Sequence, residues 1–146
     1  MAKLSTVLVT GASRGIGREI ARQFALAGYR VAIHYNKHAD EANDLREQLT
    51  AQGCEAMTVR ADISDSAQVS AMVDAVEARF GGVDVLVNNA GVAQQKLFDS
   101  ISDIEWRHIF AVNVDGCFYC CRRVLPHMIR QKGGVIINIS SVWGIT

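Results

Sequence analysis

The chain has 146 residues, about the size of one small domain. Hydrophobic residues make up 49% and charged residues 21%, which excludes a disordered or low-complexity chain. Fifteen basic residues balance fifteen acidic ones, so no electrostatic footprint for nucleic acid or an anionic membrane is present.

The N-terminus, Met1 to Thr6, runs into only a short apolar stretch, so no secretory signal is expected. No run reaches the roughly 18 apolar residues of a membrane span. Cys54, Cys117, Cys120 and Cys121 make a poor disulfide framework, which suits a reduced, cytoplasmic protein. Cys117, Cys120 and Cys121 fall on one helical face, and His108 and His127 form no second closely spaced pair. They are read as core or interface thiols, and no metal site is expected.

Five apolar runs predict strands buried on both faces: Val7 to Val9, Val31 to Ile33, Met57 to Val59, Val83 to Val87, and Val135 to Ile139. Helical patterns fill the intervals. In the first, Ile16, Ile20, Phe24 and Ala27 form the expected inner face, and Gly28 ends it. In the second, Ala42, Leu45 and Leu49 share a face that stops at Gly53. In the third, Val69, Met72, Val73, Val76 and Phe80 do so, with Asp65 and Gln68 as a capping pair and Gly81-Gly82 as the stop. Ser102 and Glu105 form a capping box ahead of Trp106, Ile109 and Phe110. A long helix is predicted over 114–130, bent or weakened at Pro126. This strand-helix alternation predicts an α/β fold with a doubly wound parallel sheet of five strands.

Between the first strand and first helix lies Thr10-Gly11-Ala12-Ser13-Arg14-Gly15-Ile16-Gly17. A strand that aims a glycine-rich turn at a helix N-terminus builds a phosphate site from free N–H groups and the helix dipole. Gly11 permits the tight turn, Gly15 a close approach to pyrophosphate, and Gly17 the packing of helix on sheet. The second strand ends His34-Tyr35-Asn36-Lys37, with no acid to bond a ribose 2′-hydroxyl. Arg14 and Lys37 can instead meet a 2′-phosphate, so NADP is preferred over NAD, although Lys37 also suits a solvated loop.

The glycine spacing T-G-x-x-x-G-x-G resembles the short-chain dehydrogenase/reductase family. Further matches follow in order: Asp62 after the third strand, Asn88-Asn89-Ala90-Gly91 after the fourth, then Asn113 and Ser140-Ser141. The wording of the glycine turn and of Val85 to Gly91 is most similar to the 3-oxoacyl-[acyl-carrier-protein] reductase branch. The resemblance implies a Rossmann domain over 1–146 whose fold continues further. Asp62 and Ile63 would flank the adenine, and Asn89, Ala90 and Gly91 would lie along the adenosine ribose and cofactor backbone. With Gly11, Ser13, Arg14, Gly15, Ile16, Gly17, Asn36 and Lys37 they make up the expected NADP site. Asn88 is open to a structural role, tying strand ends.

The resemblance also implies a catalytic asparagine, serine, tyrosine and lysine. Asn113 matches the first and Ser141 the second, with Ser140 the lesser candidate. Tyr29, Tyr35 and Tyr119 each lack a lysine four residues later. The Y-x-x-x-K segment and substrate loop are therefore expected beyond Thr146, and residues 1–146 alone are expected to be inactive. The resemblance implies an NADP-dependent reductase of a ketone resembling a 3-oxoacyl thioester, its substrate a small carbonyl compound that could be carrier-protein-linked. The alternatives are a chain that binds a dinucleotide or a partner without chemistry, and a truncated product without a stable fold. A homo-oligomer through helix 114–130 is expected, since Val114, Cys117, Cys121, Val124, Leu125 and Met128 give it a broad apolar surface. A separate C-terminal chain of the same protein is a further candidate partner.

Overall fold

The computed structural model describes residues 4–141. In chain order the elements are β1 (Thr6–Val9), α1 (Gly15–Leu26), β2 (Arg30–Tyr35), α2 (Ala39–Ala51), β3 (Ala56–Arg60), α3 (Ser66–Phe80), β4 (Val85–Asn88), α4 (Asp103–Phe110), α5 (Gly116–Arg130) and β5 (Val135–Asn138). The strands form one parallel sheet in the order β3-β2-β1-β4-β5. This is the expected doubly wound α/β fold. The order reverses between β1 and β4, so the loops leaving those two strands diverge and open a crevice at the carboxyl edge.

Strand alternation divides the core. Val7, Val9, Val31, Ile33, Val85 and Val87 point to the face covered by α1 and α2. Leu8, Ala32 and Leu86 point to the other, against Val69, Met72, Val73, Val76 and Phe80 of α3 and Cys120, Val124 and Met128 of α5. Arg123 of α5 pairs with Asp74 and Glu77 of α3 and ties these two helices at their outer edge.

The local signals work as expected in several places. Asp65 accepts from the N–H groups of Ala67 and Gln68, and Gly81 closes α3 at φ +84°. Ser102 and Glu105 form the reciprocal capping box of α4. Asn88 takes the structural role that was open to it. Its amide donates to Asn138 Oδ1 at 2.9 Å and to Cys121 Sγ at 3.3 Å, joining β4 to β5 and to α5.

Four expectations are corrected. The buried face of α1 is Gly17, Ala21 and Ala25, one position along from the Ile16, Ile20, Phe24 stripe. Small side chains let the helix backbone lie close on the sheet, while Ile20 and Phe24 flank the contact and Ile16 stands 67% exposed. The edge strands β3 and β5 are not buried on both faces, and Val135 and Ile137 of β5, with Ile139 just after it, are exposed. The α-helix predicted over 114–130 begins at Gly116 and contains Pro126 within its span. A π-helical turn, Ala111–Asp115, joins it to α4. Finally, the α5 stripe divides: Val124 and Met128 enter this chain's own core, whereas Val114 and Leu125 stay exposed.

Candidate cofactor cleft

The crevice is a cleft of about 620 Å³ across the carboxyl ends of β1 to β4. Gly11, Ser13, Arg14, Gly15, Ile16 and Gly17 form one wall. Asn36, Lys37, Asp62 and Ile63 form the far end, and Asn89, Ala90 and Gly91 the wall opposite the glycine turn. All thirteen residues expected at a cofactor site thus line one space. Asn113 sits at its margin, with its side chain beside Gly91.

The turn after β1 is closed by Thr10. Its hydroxyl donates to the Val87 carbonyl and accepts from the N–H groups of Asn89 and Ala90. The Asn89 amide donates to the carbonyls of Thr10 and Gly11 at 3.0 and 3.2 Å. These contacts staple the β1 turn to the β4 turn across the switch point. The close fit dictates two of the glycines. Gly11 has φ +63°, and a Cβ there would lie 2.9 Å from Ala90 Cα. A Cβ on Gly17 would meet both the Gly11 carbonyl oxygen and the Asn89 amide, so α1 approaches this closely only with glycine. At Gly15, φ is +58° and nothing lies within 4 Å of a built Cβ, so the backbone faces open cleft.

The first turn of α1 carries no acidic residue and no side-chain cap, and its first helical bond is Arg18 N–H to the Arg14 carbonyl. The N–H groups before it are left for a ligand, and the dipole there favours an anion. Arg14 and Lys37 are exposed at this end, and neither side chain has a hydrogen-bond or ion-pair partner among the described residues. Arg18 is engaged elsewhere, bonding the Ser13 and Glu41 carbonyls and Asp44. The residues therefore fit a dinucleotide: an open cradle of N–H groups for a pyrophosphate and two free cations beyond it.

At the far end, Asp62 Oδ1 accepts from both the hydroxyl and the N–H of Ser64, at 2.6 and 3.0 Å. The Ser64 hydroxyl is the main reason the Asp62 carboxyl titrates below its ordinary range, with the Ser64 N–H a lesser one. Asp62 is thus a carboxylate at neutral pH, able to accept from an amino group on a ligand.

Asn113 lies in the π-helical turn, and both polar atoms of its amide bond locally. Oδ1 accepts from the Val92 N–H and Nδ2 donates to the Val92 carbonyl, both at 2.8 Å. Its side chain pins the segment after β4 to the α4–α5 junction, while one N–H of Nδ2 and one lone pair of Oδ1 remain beyond these two bonds. Ser141 is the last described residue, three positions beyond β5.

Seven lining residues escaped the sequence reading: His34, Tyr35, His38, Ala61, Val92, His108 and Val112. For most of them no local signal exists, because loop closure alone brings them to the cleft. His34 did carry one, as a lone polar residue ending an apolar strand. The cysteines behave as packing groups. Cys120 is fully buried and burial pushes its thiol up to about 12. No helix among the described residues is long and apolar enough to cross a membrane.

Residues 5–146 match the short chain dehydrogenase family model. A 3-oxoacyl-[acyl-carrier-protein] reductase, FabG, of Staphylococcus aureus (strain Mu50) is 42% identical, with 99% of this chain and 58% of that protein aligned. A short-chain type dehydrogenase/reductase of Picea abies is 41% identical over 92% of this chain and 52% of its own length. Among solved structures, a gluconate 5-dehydrogenase from Burkholderia cenocepacia in complex with NADP and tartrate superposes with a TM-score of 0.87 at 38% identity, covering 94% of this chain and 54% of that one. The chain spans a little over half the length of these relatives. With its glycine turn, switch-point cleft and matched sequence all agreeing, the chain belongs to the short-chain dehydrogenase family.

Proposed function

We propose that the chain is the cofactor-binding part of an NADP-dependent oxidoreductase that reduces a ketone to an alcohol, with a 3-oxoacyl thioester as the substrate class. The observation that carries this reading is the pair of unpaired cations, Arg14 and Lys37, beside a cleft with no acid at the end of β2. An acid there would repel a 2′-phosphate, whereas a guanidinium can grip its oxygens in a two-pronged contact. The NADP complex of the B. cenocepacia enzyme and the reductase name of the S. aureus relative support the same choice.

Bound NADPH supplies the hydride. The N–H groups of Gly15, Ile16 and Gly17 hold the pyrophosphate, and Arg14 and Lys37 hold the 2′-phosphate. Asp62 and Ile63 receive the adenine, and Asn89, Ala90 and Gly91 line the ribose. Asn113 braces Val92 and the α4–α5 junction, and Ser141 bonds the substrate oxygen. Protonating the new alkoxide needs an acid near pKa 7, and no tyrosine in residues 1–146 is followed four places later by a lysine that could lower its pKa. We assign that step to a Tyr-x-x-x-Lys segment of the whole protein. A cytoplasmic location and a homo-oligomer are part of this reading. The oligomer contact would use Val114, Phe118, Leu125 and Ile129, which stay exposed.

Calorimetric titration tests the cofactor assignment directly. NADPH should bind at least about tenfold more tightly than NADH, the difference one charge-assisted contact commonly makes. Equal affinities would overturn the NADP assignment. NADPH oxidation with an acetoacetyl thioester should be undetectable with residues 1–146 alone, and turnover by that chain would refute the missing proton donor. Intact-mass spectrometry of the purified sample checks for a second polypeptide that begins after Thr146.

A further inference from the structure

His34 is a buried ionisable group that the cofactor reading leaves without a task. It is 2% exposed at the end of β2, between two other strands. The Gly11 N–H donates to its Nδ1 at 3.0 Å, and its Nε2 lies 3.0 Å from the Ala61 carbonyl oxygen. Its own carbonyl accepts from the Ala12 N–H at 2.8 Å. The partners leave one assignment of the ring. Gly11 offers only a hydrogen, so Nδ1 must be bare. Ala61 offers only a lone pair, so Nε2 must carry the proton. One neutral imidazole thus holds the first residue of the phosphate turn on one side. On the other it holds the residue before Asp62.

We propose that His34 is a positioning residue for the cofactor: its neutral, Nε2-protonated ring clamps the phosphate turn to the end of β3, and cofactor affinity falls when the ring takes up a second proton. A proton on Nδ1 would set two donors against each other at Gly11, and the turn would have to move away from the geometry that receives a pyrophosphate. Asp62, on the loop after β3, is the charged group that faces the ring and favours its protonated form. Arg14, Lys37, His38 and His108 share the same cleft. Burial outweighs the Ala61 carbonyl and Asp62 and holds the ring below its ordinary 6.5, so the effect lies on the acid side of that value.

This inference rests on the proposed NADP site, and the test separates the two. Calorimetric NADPH binding is measured for the parent chain and for His34→Phe, His34→Asn and His34→Gln, each with its circular dichroism spectrum and urea midpoint. His34→Phe fills the space without either bond and should weaken NADPH at least about tenfold, the sum of two modest hydrogen bonds. His34→Asn can still accept from Gly11 and should bind within about threefold of the parent, whereas His34→Gln, which reaches only Ala61, should not. Below pH 6.5, down to the lowest pH at which both proteins stay folded, the parent should lose affinity more steeply than His34→Asn. The 2′-phosphate itself titrates near 6, but identically in both. Parallel pH profiles, or a folded His34→Phe with parental affinity, would overturn the inference.

If the parent itself fails to bind NADPH, the cofactor reading falls. Hydrogen exchange then decides the clamp in the ligand-free protein. The Gly11 amide should exchange slowly in the parent and at least about tenfold faster in His34→Phe, or in His34→Gln if the Phe variant does not fold. Equal exchange would overturn the clamp.

Discussion

The β1 side and the β5 side of the sheet share the same parallel pairing and differ in how completely they are closed. Thr6 to Val9 of β1 are all fully buried, and both neighbouring strands and two helix layers cover them. Val135 and Ile137 of β5 are 52% and 37% exposed. Around β1, the chain can hold a rigid turn at an exact height above the sheet, because every surrounding group is already packed. Around β5 and α4, apolar side chains such as Ile104, Trp106 and Phe110 face outward. The cofactor cleft is built on the closed side, and Asn113 and Ser141 lie on the open one. The lesson is that the turn proposed to hold phosphate is fixed by buried neighbours, while the residues proposed as catalytic lie beside exposed apolar surface.

The most severe way to break the closed side is Gly17→Ala. The added methyl would collide with the Gly11 carbonyl, which the sheet holds in place. A loss of about 3 kcal/mol or more is expected in urea unfolding, with NADPH binding lost as well. Next, Leu86→Ala should cost about 3 kcal/mol, because Leu86 is fully buried against α3 and α5. Ile137→Ala on β5 should cost less than about 1 kcal/mol in the same assay. Similar costs at the two sites would erase the contrast between the halves.

Asn113→Ala removes both bonds to Val92 and leaves its backbone groups half-buried without partners. About 2 kcal/mol is expected, read from the urea midpoint of the variant. Arg14→Glu sharpens the cofactor side. It should weaken NADPH about tenfold or more and leave NADH nearly unchanged, as read by calorimetry.

A graded effect, set by pH and not by a lost contact, is a pH dependence of stability. His34 is held neutral when folded but takes a proton near its ordinary 6.5 when unfolded. The unfolded state therefore binds more protons below that pH. Stability from this group is complete above about pH 6.5 and falls as pH drops toward the depressed folded value. The slope is at most about 1.4 kcal/mol per pH unit. Urea midpoints of the parent and His34→Asn at pH 7.5 and 5.5 should diverge on acidification, and parallel curves would remove His34 as the cause.

Where a structural rule depends on neighbours in the chain, the residues announced it. The strand runs, the Ser102–Glu105 box, Asp65, Gly28 and Gly81 all act through bonds spanning a few residues, so they were legible. The thirteen cleft residues were legible from the glycine turn, the end of the second strand and the family resemblance, and sheet geometry agrees with them. In a doubly wound sheet, whatever follows each strand arrives at the same carboxyl edge. The burial of α1 was misread by one position because hydrophobicity ranked Ile16 above Ala21, while the sheet demanded the smallest side chains. The π-helical turn at Asn113 was invisible because its cause is a pair of bonds to Val92, twenty-one residues earlier.

The sequence by itself determined the element order, the parallel sheet, the phosphate turn and the cation pair beside it. These follow from periodicity, from glycine's conformational range and from charge, all properties of short segments. Only the tertiary structure decided which α5 residues are core and which are surface, that Asn113 bonds Val92, and that His34 joins three strand ends. Each of those depends on what stands opposite in space. A hydrogen-bond partner many residues away is chosen by sheet register and helix approach, and no local pattern encodes it.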